Sequence, residues 1–297
     1  MNNTNKLRVG IFGYYSYSNL GDNMMAHMIY RHVVSKGHPT VLFSRDQSFH
    51  KKYGYKVEAC PSELARNVDV IIFGGGGLLI PRKNLSGEGM YFNEDLKAVL
   101  SIANEREIPL FGVSLGGAGV NFDEITPPTR QTLLKSLNYV TLRNKQDHHL
   151  LDQTKTPGEC LGDIVWATSK LFSKPKLSSE TPPSQDSDRI RIGINMYLTR
   201  SRRYRALQKL LELAIAYRKN WEFIFYELHP QTGKEFRALN LSKSRKNCRS
   251  CVLTDPEQAT EEMKALDLII TTRLHIGVVA MSTGTPSIAY AAQPKTR

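Results

Sequence analysis

Thr271-Thr272-Arg273-Leu274-His275 carries the sharpest chemical signal in the chain. It stands where an apolar strand-like run gives way to a helical one. An arginine offers a planar fork of donors that suits a carboxylate or a phosphate. An imidazole titrates near neutrality and can act as a general acid. A lone histidine on a helix is usually structural, so the junction, where ligands are expected, is what singles out His275. Further on come Gly284-Thr285-Pro286, Tyr290 and Lys295. Earlier, Thr141-Leu142-Arg143-Asn144 puts Arg143 at the end of another strand-like run. Arg143 reads either as an anion ligand or as a surface arginine. Gly162-Asp163 begins a turn in which Asp163 could position a substrate or cap a helix.

Three glycine-containing turns accompany these side chains. The first runs from Gly13 through Asn19, Gly21 and Asp22, between a strand and a helix. A helix N-terminus there offers free N–H donors and partial positive charge. Asn19 and Asp22 read as helix caps, and Asp22 also as a polar contact for a hydroxylated substrate. The second turn is Phe73-Gly74-Gly75-Gly76-Gly77-Leu78-Leu79, and the third is Ser114-Leu115-Gly116-Gly117-Ala118-Gly119. Without side chains, Gly75, Gly76, Gly116 and Gly117 allow close backbone approach to a ligand. None of the three turns has the spacing of a dinucleotide fingerprint or a P-loop. Two glycine-rich strand ends in one sheet point to one concave site.

Other chemistries find less support. Cys248-Arg249-Ser250-Cys251 is a C-x-x-C without a second ligand pair, and no other metal-ligand cluster is visible. No metal and no cofactor are therefore expected. Four cysteines in 297 residues are too few for a disulfide framework. Lys plus Arg total 40 against 28 Asp plus Glu, a formal charge of +12. That excess can draw nucleic acid, anionic lipid or a phosphorylated substrate. The local basic densities, at Arg200–Arg205 and Lys243–Lys246, lack the interleaved aromatics of a nucleic-acid module, so no nucleic-acid partner is expected. A peripheral contact with the inner membrane is a secondary expectation. No run of 18 apolar residues and no signal-peptide pattern occur, which reads as cytoplasmic.

The elements that must position these residues alternate between strand and helix. In the N-terminal half, strands are predicted over Leu7–Gly13, Thr40–Phe43, Val68–Phe73, Leu110–Ser114 and Tyr139–Leu142, with helices over Gly21–Lys36 and Tyr91–Glu105. Met24, Met25 and Met28 fall at helical spacing and read as core. Strands apolar on both faces and separated by helices imply a parallel sheet covered on both sides. The Pro- and Ser-rich stretch 173–189 reads as a linker. The alternation then restarts. Strands are predicted over Ile190–Met196, Glu222–Glu227, Leu268–Thr271 and Ser287–Tyr290, and helices over Arg203–Arg218, Lys234–Leu241, Glu257–Ala265 and Leu274–Ser282. The predicted architecture is α/β: two Rossmann-like doubly wound domains, 1–172 and 190–297, with an interdomain cleft. The second domain stops short of a closing helix. Ligands in such sheets bind beyond the carboxyl ends of the strands, where every candidate residue above falls.

In order and position these motifs resemble the polysaccharide pyruvyl transferase family. The resemblance runs from Gly-Tyr-Tyr…Asn-Leu-Gly-Asp through Phe-Gly-Gly-Gly-Gly-Leu-Leu and Leu-Arg to Arg-Leu-His…Gly-Thr-Pro…Tyr…Lys, nearly the whole chain. It implies a GT-B-like fold and transfer of pyruvate from phosphoenolpyruvate, as co-substrate, to two hydroxyls of a saccharide acceptor, free or lipid-linked. It implies His275 as general acid, with Arg143 and Lys295 as phosphoenolpyruvate contacts. The residues fit that chemistry: a donor carrying both carboxylate and phosphate needs converging cations, supplied by Arg143, Arg273 and Lys295. Asp22 and Asp163 are the two candidates for the base. A nucleotide-sugar-dependent glycosyltransferase of the same architecture is the alternative reading, and a non-catalytic carbohydrate-binding protein a third.

Overall fold

A computed structural model of the chain describes residues 6–15, 19–81, 87–171, 189–196, 202–228 and 246–290. The candidate Lys295, the expected helix Lys234–Leu241, residues 173–188 of the expected linker and residues 200–201 and 243–245 of the two basic densities lie outside the described residues. The chain divides into two compact units, Met1–Ile164 and Val165–Arg297.

The first unit holds a seven-stranded sheet: β1 (Val9–Phe12), β2 (Thr40–Phe43), β3 (Val57–Glu58), β4 (Val70–Gly74), β5 (Leu110–Leu115), β6 (Tyr139–Leu142) and β7 (Gly158–Cys160). The order is β3-β2-β1-β4-β5-β6-β7, and all neighbours are parallel. Side chains alternate across a strand with period two. Val9, Ile11 and Val70 therefore join one core cluster, with Ala26, Ile29 and Tyr30 of the helix Leu20–Ser35. Phe12, Ile71 and Phe73 join the cluster on the other face, with Leu96, Val99 and Ala103 of the helix Glu88–Glu105. Phe12 stacks on Phe43 at 4.7 Å and meets Phe73 edge-on at 5.7 Å between ring centroids. Each such buried side chain stabilises the unit by about 1.5–3 kcal/mol relative to exposure. The two faces together fix the sheet's register, because a one-residue slip would exchange the faces of every strand. Met24, Met25 and Met28 are wholly buried, as their spacing predicts.

The second unit holds β8 (Ile190–Asn195), β9 (Trp221–Glu227), β10 (Cys248–Val252), β11 (Leu268–Thr271) and β12 (Ser287–Ala289), in the parallel order β10-β9-β8-β11-β12. Helices Arg202–Tyr217, Pro256–Lys264 and Leu274–Ser282 connect its strands. Residues 165–171 precede the predicted linker yet group with this unit, and the helix Thr168–Leu171 packs against Leu274–Ser282. β11 and the helix Leu274–Ser282 have the predicted bounds, and the other predicted strands are found within about two residues. Strands β3 and β7 at the edges of the first sheet were not legible. β10, the edge of the second, carries the C-x-x-C. Cysteines three apart in a strand point to opposite faces. Burial and the nearby Glu262 carboxylate push the Cys251 thiol up.

In both sheets the strand order reverses once, between β1 and β4 and between β8 and β11. A crevice opens at such a point beyond the carboxyl ends of the strands. The glycine-rich turns and the Arg273–His275 junction both fall there.

Candidate functional site

In the first unit the site is built chiefly from backbone. Asn19 stands in an extended conformation and caps the helix Leu20–Ser35, its Oδ1 accepting from the Gly21 N–H at 3.2 Å. Its Nδ2 donates to Asp22 Oδ2 at 2.5 Å. Asp22 is buried against the Gly75–Gly76 turn. Both glycines have positive φ, 65° and 79°, a backbone that L side chains rarely adopt. A Cβ on Gly75 would fall 2.3 Å from Met25 Sδ, and one on Gly76 would fall 2.7 Å from Asp22 Oδ1. Tyr15 supports the same turn, its hydroxyl donating to the Gly74 carbonyl at 2.7 Å. Full burial, with the Asp22 charge close by, raises the Tyr15 phenol well above its ordinary range and keeps it a neutral donor.

The second glycine turn is tied to the first. The Gly116 N–H donates to the Gly76 carbonyl at 3.1 Å, and the Leu79 N–H donates to the Gly116 carbonyl at 3.3 Å. Asp147, fully buried, accepts from the N–H groups of Gly117 at 2.8 Å and Gly119 at 2.6 Å, and from Asn144 Nδ2 at 3.0 Å. Sequence reasoning missed Asp147. Its signal was an acid three residues after Asn144 in a short turn.

Arg143 follows β6 and is not a surface residue, since only 3% of its side chain is exposed. It lies across Gly116 so closely that a Cβ there would be 2.4 Å from Nε. Arg143 Nη1 is 3.7 Å from Asp163 Oδ2, an ion pair too long to be a hydrogen bond. Its Nε is buried and has no acceptor among the described residues. A buried donor normally finds a partner. Ser114 sets Asp163 in place. A register shift in the pairing of β5 with β6 turns Ser114 to φ 58°. Its N–H then donates to Thr141 Oγ1, and its Oγ accepts from the Ile164 N–H at 3.0 Å and donates to the Gly162 carbonyl at 3.3 Å.

The second unit presents side chains on a locked junction. Asn195, buried at the end of β8, donates through Nδ2 to the Tyr226 carbonyl at 2.8 Å, and its Oδ1 accepts from Thr271 Oγ1 at 3.3 Å. Thr271 Oγ1 also accepts from the Arg273 N–H at 2.9 Å. The Thr272 N–H donates to the Asn195 carbonyl. These bonds fix Arg273 as the extended N-cap of Leu274–Ser282, with half-buried His275 one residue inside the first turn. The helix start adds N–H donors and partial positive charge beside the arginine. The Tyr290 N–H donates to the Thr271 carbonyl at 2.8 Å, which puts that residue at the same end of the sheet. Asn195 is the second functional position that sequence reasoning missed. It was visible only as a polar residue closing an apolar run.

Thus Asn19, Asp22, Gly75, Gly76, Gly116, Gly117, Arg143 and Asp163 meet along one sheet edge of the first unit. Arg273 and His275 stand on the corresponding edge of the second. Among the described residues no group of three or more His, Cys, Asp or Glu side chains is disposed to hold a metal ion.

A family model for polysaccharide pyruvyl transferase matches residues 19–294. Most of the chain is spanned, and the protein belongs to that family. Its fold is that of GT-B nucleotide-sugar enzymes. The UDP-GlcNAc 2-epimerase from Methanocaldococcus jannaschii superposes with a TM-score of 0.56 at 15% identity, over 97% of this chain and 86% of that one. The UDP-GlcNAc 2-epimerase from Neisseria meningitidis, bound to UDP-GlcNAc, gives 0.56 at 12% identity, over 96% and 83%. An alpha-glucosyltransferase in complex with UDP and a 13-mer DNA gives 0.55 at 10% identity, over 96% and 80%. At these identities the likeness concerns the fold alone. No curated protein matches the chain in sequence.

Proposed function

We propose that this transferase moves pyruvate from phosphoenolpyruvate onto two hydroxyls of a saccharide, as a ketal. The observation that carries the reading is the buried Arg143 guanidinium, with a donor left open at a glycine-lined strand end in a member of this family. A small donor with a carboxylate and a phosphate is what such a cation suits. Arg273 and the start of its helix supply a second anion-binding edge, and Lys295 is assigned as a third cation.

The steps balance as follows. His275 gives its proton to the methylene carbon of phosphoenolpyruvate, which becomes a methyl group and leaves C2 electrophilic. One sugar hydroxyl attacks C2 and loses its proton to a carboxylate, Asp22 or Asp163. The C2–O bond to phosphate breaks, and the second hydroxyl closes the ketal at the same carbon, its proton passing to the departing phosphate. Inorganic phosphate is the other product. No oxidation or reduction occurs. The chain's charge of +12 favours the approach of an anionic donor and of a phosphorylated or lipid-linked acceptor.

The test is incubation with phosphoenolpyruvate and a panel of α- and β-linked galactose, glucose and mannosamine acceptors. Phosphate release is measured together with the mass of the sugar product. The expected result is phosphate in equal amount to a product heavier by one pyruvate less one water. Nucleoside diphosphate released from a sugar nucleotide, with phosphoenolpyruvate untouched, would replace the reading with glycosyl transfer.

A further inference from the structure

Helix Arg202–Tyr217 exposes large apolar side chains that its packing does not use. Leu211 and Ile215 turn inward to the core of the second unit, joined by the half-buried Leu207 and Ala214. Along one side of that buried face Leu210, Leu213 and Tyr217 are 63%, 53% and 79% exposed. At 100° per residue these three fall within about 60° of one another, so they form one stripe along the helix. A stripe this exposed marks an interaction surface rather than a core face.

One flank of the stripe is basic. Lys209 is exposed beside Leu210 and Leu213. By the C-terminal end of the helix a groove of about 480 Å³ is lined by Ile215, Ala216, Asn247 and the cations Arg189, Lys219 and Lys246. The only acid of the helix, Glu212, is half-buried and accepts from Gln208 Nε2 at 3.1 Å. Two leucines and a tyrosine next to Lys209, with three more cations round the groove by the helix end, have the chemistry of a helix that lies in a membrane interface. Leucines enter the acyl boundary, tyrosine suits the headgroup level, and lysine and arginine meet anionic headgroups.

We propose that this face is a docking surface for an anionic lipid bilayer, on which the helix rests without crossing it. Among the described residues no helix is long and apolar enough to span a membrane. The binding is reversible and salt-sensitive, because its charged part is screened within about 8–10 Å at ordinary ionic strength.

The test is sedimentation of the full chain with vesicles of phosphatidylglycerol and phosphatidylcholine, and with vesicles of phosphatidylcholine alone. Partition into the anionic vesicles is expected, and it falls as salt rises. The double substitution Leu210→Ser/Leu213→Ser should weaken it about tenfold or more. Lys209→Gln and Lys219→Gln should each weaken it about fivefold. As a check that does not depend on partition, the Tyr217→Trp variant should shift its emission to the blue on addition of anionic vesicles. Several outcomes would overturn the proposal. One is partition unchanged by the leucine and lysine substitutions, and another is an emission of the Tyr217→Trp variant that does not shift. A third is a concentration-dependent dimer that the leucine substitutions abolish while vesicles bind nothing, which would give the face to a second copy of the chain.

Discussion

The two sheet edges use the same topology for different purposes. In the first unit the edge is almost all main chain, packed so tightly that Gly75, Gly76 and Gly116 have no room for a methyl group. Its carboxylates face inward, with Asp147 on two glycine N–H groups and Asp22 on the Gly76 turn. In the second unit the edge is a junction whose buried amide and hydroxyl lock the backbone, leaving Arg273 and His275 half-buried. Its glycine, Gly277, is loosely packed, and an added Cβ would meet only ordinary contact, at 3.4 Å from Thr271. The first edge holds a buried arginine and its carboxylates in a fixed main-chain shape. The second presents an arginine and an imidazole that are only half-buried.

The contrast can be broken most sharply at His275. Under the proposed chemistry His275→Ala should lower turnover about 100- to 10,000-fold, with phosphoenolpyruvate affinity retained. Phosphate release and calorimetric donor binding measure the two effects. A lost affinity with turnover intact would make His275 a binding group and not a proton donor.

A second test isolates the first unit by its acid sensitivity. Burial lowers the pKa of His50 from its usual 6.5 to about 4, although the Tyr15 carbonyl and Asp46 partly oppose the shift. The unfolded chain takes up this proton as pH falls through 6.5, and the folded chain does so only near 4. Stability is therefore full above pH 6.5 and lost between 6.5 and 4, by about 3 kcal/mol. Denaturant unfolding across that range should show the loss, and His50→Gln should flatten the profile there.

The smallest effects compare glycines. Gly116→Ala would drive a methyl group into Arg143, costing about 1–3 kcal/mol of stability and weakening donor binding. Gly277→Ala, in a helix with space for the methyl, should leave stability unchanged or raise it by about 1 kcal/mol or less. Thermal unfolding of both variants decides the point. Equal sensitivity at the two positions would mean that both edges are built alike.

Most of the central architecture was legible because it rests on strong patterns. Val9–Phe12, Val70–Gly74 and Leu268–Thr271 are apolar on both faces, and such runs admit few readings besides central parallel strands. β3 and β7 were not legible, since an edge strand is bonded on one side only and tolerates short, polar sequences such as Val57-Glu58. The chemical residues stood out by type and place. What escaped were the residues that hold them, Asp147, Ser114 and Asn195. Their partners are main-chain groups of the folded structure, and nothing in local sequence shows which N–H a buried oxygen will meet.

Asp147 has one more implication. Amides of a glycine turn are the usual cradle for a phosphate in nucleotide enzymes. Here the Gly117 and Gly119 amides are already occupied by an anion of the protein's own. An incoming phosphate would have to displace a carboxylate fastened by three donors. Under the proposed function, selection of an anionic donor would fall to arginine, lysine and histidine side chains. Charge-reversing substitutions at those positions, rather than redesign of the glycine loop, are the means of re-tuning which donor is accepted.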